Sequence, residues 1–151
     1  MKAITLWQPW ASLLACGVIE YETRSWATKY RGPMAIHAAA SEPKHLLHQM
    51  SGTIASILGT DNPPDYPRGA VIATANLIAC HEMKEDGFGN MGFWRSNNDI
   101  WEFCAISEQQ ASLGDWQPGG YAWEFINMKM LDTPIPAKGG QRIWNWSQLE
   151  A

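Results

Sequence analysis

The sequence is poor in cysteine, in charge and in long apolar runs, and each shortage excludes a class of protein. Cysteine occurs three times, at positions 16, 80 and 104. The three are far apart and form no CxxC pair, which argues against a disulfide framework or a zinc ribbon and predicts three buried thiols. Charged residues make up 17% of the chain and hydrophobic residues 46%, a balance foreign to disordered tails, which lack the apolar surface to offset ordering entropy. The longest apolar stretch, 70–80, is broken by Thr74 and Asn76 and falls short of the ~18–20 residues a membrane span needs. Lys2 is followed by a short strand-like run and WQPW, not by the apolar core of a signal peptide. No stretch repeats with a period of about 20–50 residues. The expectation is one cytoplasmic domain over residues 1–151, with no membrane contact, cofactor or metal.

Tryptophan, by contrast, is abundant: nine residues, at 7, 10, 26, 94, 101, 116, 123, 144 and 146, are more than a core of this size requires. Charge is also divided unevenly. Residues 1–60 sum to +2, residues 61–117 to −6 and residues 118–151 to zero, giving the net −4. Duplex binding rests on many Lys/Arg–phosphate contacts, so strong affinity for duplex DNA is not expected. A nucleic-acid ligand would have to be single-stranded or nucleotide-sized, held at a local patch with aromatic stacking.

Hydrophobic spacing and turn residues predict a helix over Pro9–Cys16, stopped by Gly17, and strands at Ala3–Leu6, Ile19–Ser25 and Met34–Ala39. Ser41 can cap a helix running to Leu58. Gly69–His81 is a long strand candidate, as expected where a strand curves round a barrel. Residues 84–106 read as an irregular insertion with a short element at Ile100–Cys104. Ser107 and Gln110 match a capping box for a helix ended by Gly114, and Tyr121–Leu131 and Ile143–Trp146 are further strands. Strands outnumber helices without a βαβ rhythm. The expected fold is α+β and β-rich: a small mixed or antiparallel β-barrel flanked by two or three helices.

The densest chemistry lies between Trp7 and His37. On the strand at 19–25, Glu20, Glu22 and Arg24 share one face. They form either a surface ion-pair cluster or a polar pocket in which Arg24 holds a phosphate or base edge and Glu22 accepts a proton or a hydrogen bond. Trp26, Lys29, Tyr30 and Arg31 follow, cations interleaved with aromatics, as suits a stacked base. His37 can face the same cleft or be a hydrogen-bonded structural histidine. Lys138 opens a KGGQ loop whose backbone N–H groups could approach a phosphate. Cys80-His81-Glu82 alternates across a strand, and His45 and His48 sit i, i+3 on a helix; neither set makes a metal site alone.

GVIEYETR (Gly17–Arg24), flanked by WQPWASLL and SWATKYRGPMAIHAA, resembles the ASCH domain, a branch of the PUA-like superfamily. RGAVIATANL, GGYAWEF and PIP…GGQRIWNW agree in order. The resemblance implies a β-barrel with a cleft beside the motif strand and links the chain to RNA binding; some small members hydrolyse modified nucleosides. The family signature GxKxxExR is met by Gly17, Glu22 and Arg24, but Ile19 stands at the lysine position. An isoleucine supplies no cation and no proton. The sequence therefore favours a binder of single-stranded RNA or a nucleotide-like ligand, with Glu22, Arg24, Trp26, Lys29, Arg31, His37 and Lys138 as contacts. An Arg-held Glu22 is expected to stay charged, a good acceptor but a weak base. The alternatives are a hydrolase (a ribonuclease or a modified-nucleoside amidohydrolase) with Glu22, Lys29 and Tyr30 as catalytic groups, and a Trp-rich protein-docking module.

Overall fold

A computed structural model describes residues 1–41 and 66–147. The elements run β1 (Lys2–Leu6), α1 (Trp10–Ala15), β2 (Tyr21–Arg24), β3 (Gly32–Ala38), β4 (Ala70–Glu82), β5 (Lys84–Glu85), β6 (Met91–Asn97), β7 (Ile100–Ala105), α2 (Glu108–Leu113), β8 (Tyr121–Pro136) and β9 (Ile143–Asn145). Six strands form one sheet in the order β2-β8-β4-β3-β1-β9, and β5-β6-β7 form a second. Among the described residues only β1 and β3 pair in parallel; the other neighbours are antiparallel. The long pair β4–β8 is the spine. Its register shifts between Val71/Ala73, Thr74/Asn76 and Leu77/Ala79, and such bulges bend and twist the strands that carry them. The sheet accordingly curls into a half-barrel. It ends on β2 and β9 without closing into a ring among the described residues.

The fold is the expected small α+β, strand-rich, barrel-like one. The core fills the hollow of the curled sheet: Ile4 from β1, Leu13 and Leu14 from α1, Ile36 from β3, Leu77 from β4 and Trp123 from β8 are buried in one cluster. Gln8 anchors the start of α1. Its side-chain oxygen accepts from the Ser12 N–H at 3.0 Å, and its amide donates to the Pro67 carbonyl at 2.8 Å. Gly17 follows with φ +86°, as the helix stop requires. Among the described residues, no helix is long and apolar enough to cross a membrane.

Three expectations need correction. Residues 84–106 are not irregular: β6 and β7 pair without interruption from Gly92↔Ala105 to Asn97↔Ile100. Their turn places Asn98 and Asp99 at φ 52° and 66°, the signature of a type I′ hairpin, which Asn and Asp tolerate. The cysteines are free but not buried, Cys16 being exposed and Cys80 and Cys104 half-buried. The capping box is only half formed. Ser107 Oγ accepts from the Gln110 N–H at 3.2 Å, but the Gln110 side chain turns to the Val18 carbonyl (2.7 Å) and the Glu20 N–H (3.0 Å), tying α2 to the chain entering β2. The helix predicted from Ser41 to Leu58, with His45 and His48, lies outside the described residues.

Candidate functional site

A cleft of about 910 Å³ opens between the ends of β1 and α1, strand β2, the segment 112–115 and the segment 140–142. Its walls are held by backbone-directed bonds. The Trp10 indole donates to the Leu113 carbonyl at 3.0 Å, and Thr23 Oγ1 accepts from the Asp115 N–H at 3.0 Å, so α2 and the residues after it are fixed to both α1 and β2. Gly114 suits this approach, because a Cβ there would meet the Thr23 and Trp116 side chains tightly, at 3.0 Å.

Glu22 and Arg24 alternate onto the cleft face of β2 and bond to each other, Arg24 Nη2 donating to Glu22 Oε2 at 3.1 Å. The same Nη2 donates to the Thr5 carbonyl at 2.8 Å, clamping β2 to β1. Nη1 has no partner among the described residues, so the guanidinium keeps donors for a ligand. Glu22 Oε1 accepts from the Thr23 N–H at 3.0 Å. Burial nevertheless pushes the Glu22 carboxyl above the ordinary carboxylate range, outweighing the lowering by the Arg24 charge and the hydrogen bonds from Arg24 and Thr23. The expectation that the arginine dominates this carboxyl is thereby corrected, burial being the larger influence. Such a group exchanges its proton closer to neutrality than an exposed glutamate does.

Aromatic groups complete the cleft. Trp7 is 50% exposed, and Trp10 and Trp26 line the wall. Trp26 is set edge-on against Trp123 at 4.9 Å, and its backbone carbonyl accepts from the Trp123 indole at 3.1 Å. Arg142 stacks its guanidinium over the Trp26 ring, 4.1 Å from the centroid, a cation–π contact that presents a flat cationic surface. The segment leading to it packs closely on the sheet: a Cβ at Gly139 would stand 2.7 Å from the His37 ring and 2.9 Å from Thr5 Oγ1. Close packing thus accounts for the first glycine of KGGQ.

Of the residues singled out from the sequence, Glu22, Arg24 and Trp26 line this cleft. Lys29 is exposed outside it, and Lys138 is likewise exposed. The Arg31 guanidinium turns back onto the carbonyls of Thr28 and Tyr30, and the Tyr30 hydroxyl donates to the Pro33 carbonyl at 2.5 Å. His37 is buried behind the cleft, between Thr5 Oγ1 (3.1 Å from Nδ1) and the Ala137 carbonyl (2.7 Å from Nε2). A carbonyl can only accept, so Nε2 carries a proton, and Thr5, which already accepts from the Trp144 indole at 2.9 Å, can donate its hydroxyl hydrogen to Nδ1. The imidazole therefore supports Thr5, whose carbonyl supports Arg24. Ile19, at the signature's lysine position, is 7% exposed and belongs to the core.

Sequence reasoning missed Trp7, Trp10 and Arg142 as cleft residues. WQPW and GGQRIWNW were visible as motifs, but nothing local reveals that the two meet across 130 residues of chain. Among the described residues, no three His, Cys, Asp or Glu side chains converge to hold a metal ion.

The family model of the ASCH domain matches residues 4–134. The chain is 27% identical over 144 residues to Activating signal cointegrator 1 of Homo sapiens, and 26% identical over 144 residues to that of Mus musculus. Each alignment covers 93% of this chain but 21% of the relative, so the chain spans about a fifth of the length of the curated relatives it matches.

Proposed function

The chain belongs to the ASCH domain family, and on that premise we propose that its cleft binds RNA, as a single strand or a nucleotide-sized piece. The observation that carries this reading is the convergence of two guanidinium groups, Arg24 and Arg142, with the indoles of Trp7 and Trp26 on one concavity of about 910 Å³. A nucleotide offers the complementary set: a phosphate for a planar fork, a π-face for an indole and a polar base edge for Glu22. The volume lies within the roughly 300–1,000 Å³ of small-ligand sites. The net charge of −4 supports recognition at one patch over tracking of a duplex backbone. Binding of labelled single-stranded RNA and of mononucleotides by fluorescence anisotropy tests the proposal. Saturable, salt-weakened binding that is reduced by Arg24→Ala and Arg142→Ala is expected; absence of binding to every such ligand refutes it.

A second reading, a hydrolase acting on RNA or a modified nucleoside, draws support from one observation. Glu22 has the raised proton affinity of an acid–base group. Against it, Lys29 and Tyr30 stand outside the cleft, and Ile19 brings no amine. Multiple turnover of single-stranded RNA or acylated cytidine, lost in Glu22→Gln, would favour this reading over simple binding.

A further inference from the structure

The three-stranded sheet carries an aromatic face that nothing in the cleft uses. Trp94 and Phe103 are register partners with rings 5.3 Å apart, and Trp101 follows two residues from Phe103 on the same side. Trp94 is 48% and Trp101 63% exposed, whereas Phe93, on the opposite side of β6, is fully buried against Met83 and Ala122. The hairpin therefore uses one face to attach to the main sheet and leaves the other, richer in indole, uncovered among the described residues.

The same hairpin has an open edge. β7 pairs with β6 and with no other strand among the described residues. The Ile106 N–H donates to the Met91 carbonyl; by alternation, Trp101, Phe103 and Ala105 turn their backbone groups outward. Natural edges are blunted by proline, lysine, bulges or very short strands. β7 has six residues, neither proline nor lysine, and an uninterrupted register.

Charge selects the occupant. Lys84 is paired with Glu82 and Arg95 with Glu124, and among the described residues Glu85, Asp99 and Glu102 form no ion pair, although Glu102 stands opposite Arg95 in register. An RNA strand would bring phosphates to this negative surface. A second copy would bring two hairpins of the same negative charge together. A basic polypeptide meets neither objection.

We propose that the open edge of β7 accepts an extended, lysine- or arginine-rich segment of a partner protein as an added strand, with alternate apolar side chains resting on Trp94, Trp101 and Phe103. Main-chain bonds to Trp101, Phe103 and Ala105 supply affinity, the aromatic face reads every second side chain, and the acidic surround selects for basic sequences. This surface is separate from the cleft, and its test does not depend on RNA binding.

The probe is a fluorescein-labelled eight-residue peptide of alternating lysine and valine, titrated into the full chain by anisotropy and by amide NMR. Saturable binding is expected, with shifts at the Trp101, Phe103 and Ala105 amides. Affinity should fall about tenfold or more with Trp101→Ala, with glutamate in place of the peptide's lysines, and with N-methylation of its alternate amides. The circular dichroism of Trp101→Ala should match that of the parent. The proposal is overturned if the N-methylated peptide binds equally well or if those amides do not move at millimolar peptide. Displacement of the peptide by oligouridylate from these same amides, or a dimer in sedimentation that pairs through β7, also overturns it, in favour of RNA or of self-association.

Discussion

The two sheets use tryptophan in opposite ways. In the six-stranded sheet Trp123 is 0% exposed, donates to the Trp26 carbonyl and backs the cleft wall. In the three-stranded sheet Trp94 and Trp101 lie on the surface. The charges differ as well: the cleft brings two arginines together, while the hairpin shows acids whose neighbouring cations are already engaged. One residue type thus fixes a wall in the first case and presents a surface in the second, and the electrostatic setting separates a site suited to phosphate from one that repels it.

The comparison is broken most forcefully by truncating the buried member. Trp123→Ala removes a fully buried indole, its hydrogen bond and its edge contact with Trp26. A loss of about 3–5 kcal/mol of unfolding free energy in urea titration is expected. A cost below about 1 kcal/mol would mean that the curled sheet does not depend on this residue.

Next in size is the cleft itself. Arg24→Ala removes both the clamp on the Thr5 carbonyl and the partner of Glu22. RNA or nucleotide affinity is expected to fall by about 1–3 kcal/mol, read as a roughly fivefold to 150-fold rise in Kd. Lys29→Ala, outside the cleft, should change affinity several times less, and equal effects from the two would displace the site toward the 27–31 loop.

The contrast in legibility follows the same division. Strand and helix positions in the main sheet were readable because Gly17, the 10–14 apolar stripe and the long 69–81 run are local signals. The hairpin was missed because Asn98 and Asp99, not an Asn-Gly pair, supply its turn, and because outward tryptophans obscure the alternation that marks a half-buried strand. Within the cleft, Glu22 and Arg24 were legible from strand alternation. The raised proton affinity of Glu22 was not, since it comes from burial by elements far away in sequence. Arg142 was illegible for the same reason: its stacking on Trp26 is a contact of the folded chain alone.

Two carboxyls carry the comparison into pH. Glu22 is raised in the fold by burial, so between its unfolded and folded values the folded chain holds a proton that the unfolded chain has already released. Its stabilising contribution is full below the unfolded value and is lost as pH rises through the folded one. Asp86, in the turn between β5 and β6, is lowered first by the Asn90 side-chain amide and then by the N–H groups of Asn90 and Phe88. Its contribution is present above the unfolded value and is lost as pH falls through the folded one. Urea midpoints measured from pH 3 to 8 should therefore show Glu22→Gln gaining on the parent as pH rises, and Asp86→Ala closing its deficit as pH falls. Parallel slopes for the two variants would contradict the opposite environments.

The smallest expected effect is the sharpest test of the division. Trp101 is 63% exposed and lies opposite Ser96, so its truncation opens no cavity and removes no side-chain hydrogen bond among the described residues. The β6–β7 ladder runs through backbone groups that alanine retains. Trp101→Ala should then shift unfolding free energy by no more than about 0.5 kcal/mol, an order of magnitude below Trp123→Ala. If the stability cost approaches that of a buried indole, the aromatic face is covered in solution by the chain itself and is not available to a partner. If stability holds while the basic peptide no longer binds, the indole serves recognition and contributes nothing to folding. The ratio of the two tryptophan effects, measured on one protein under one condition, thus decides whether the second sheet is a surface for another molecule or a piece of core whose cover is supplied from within.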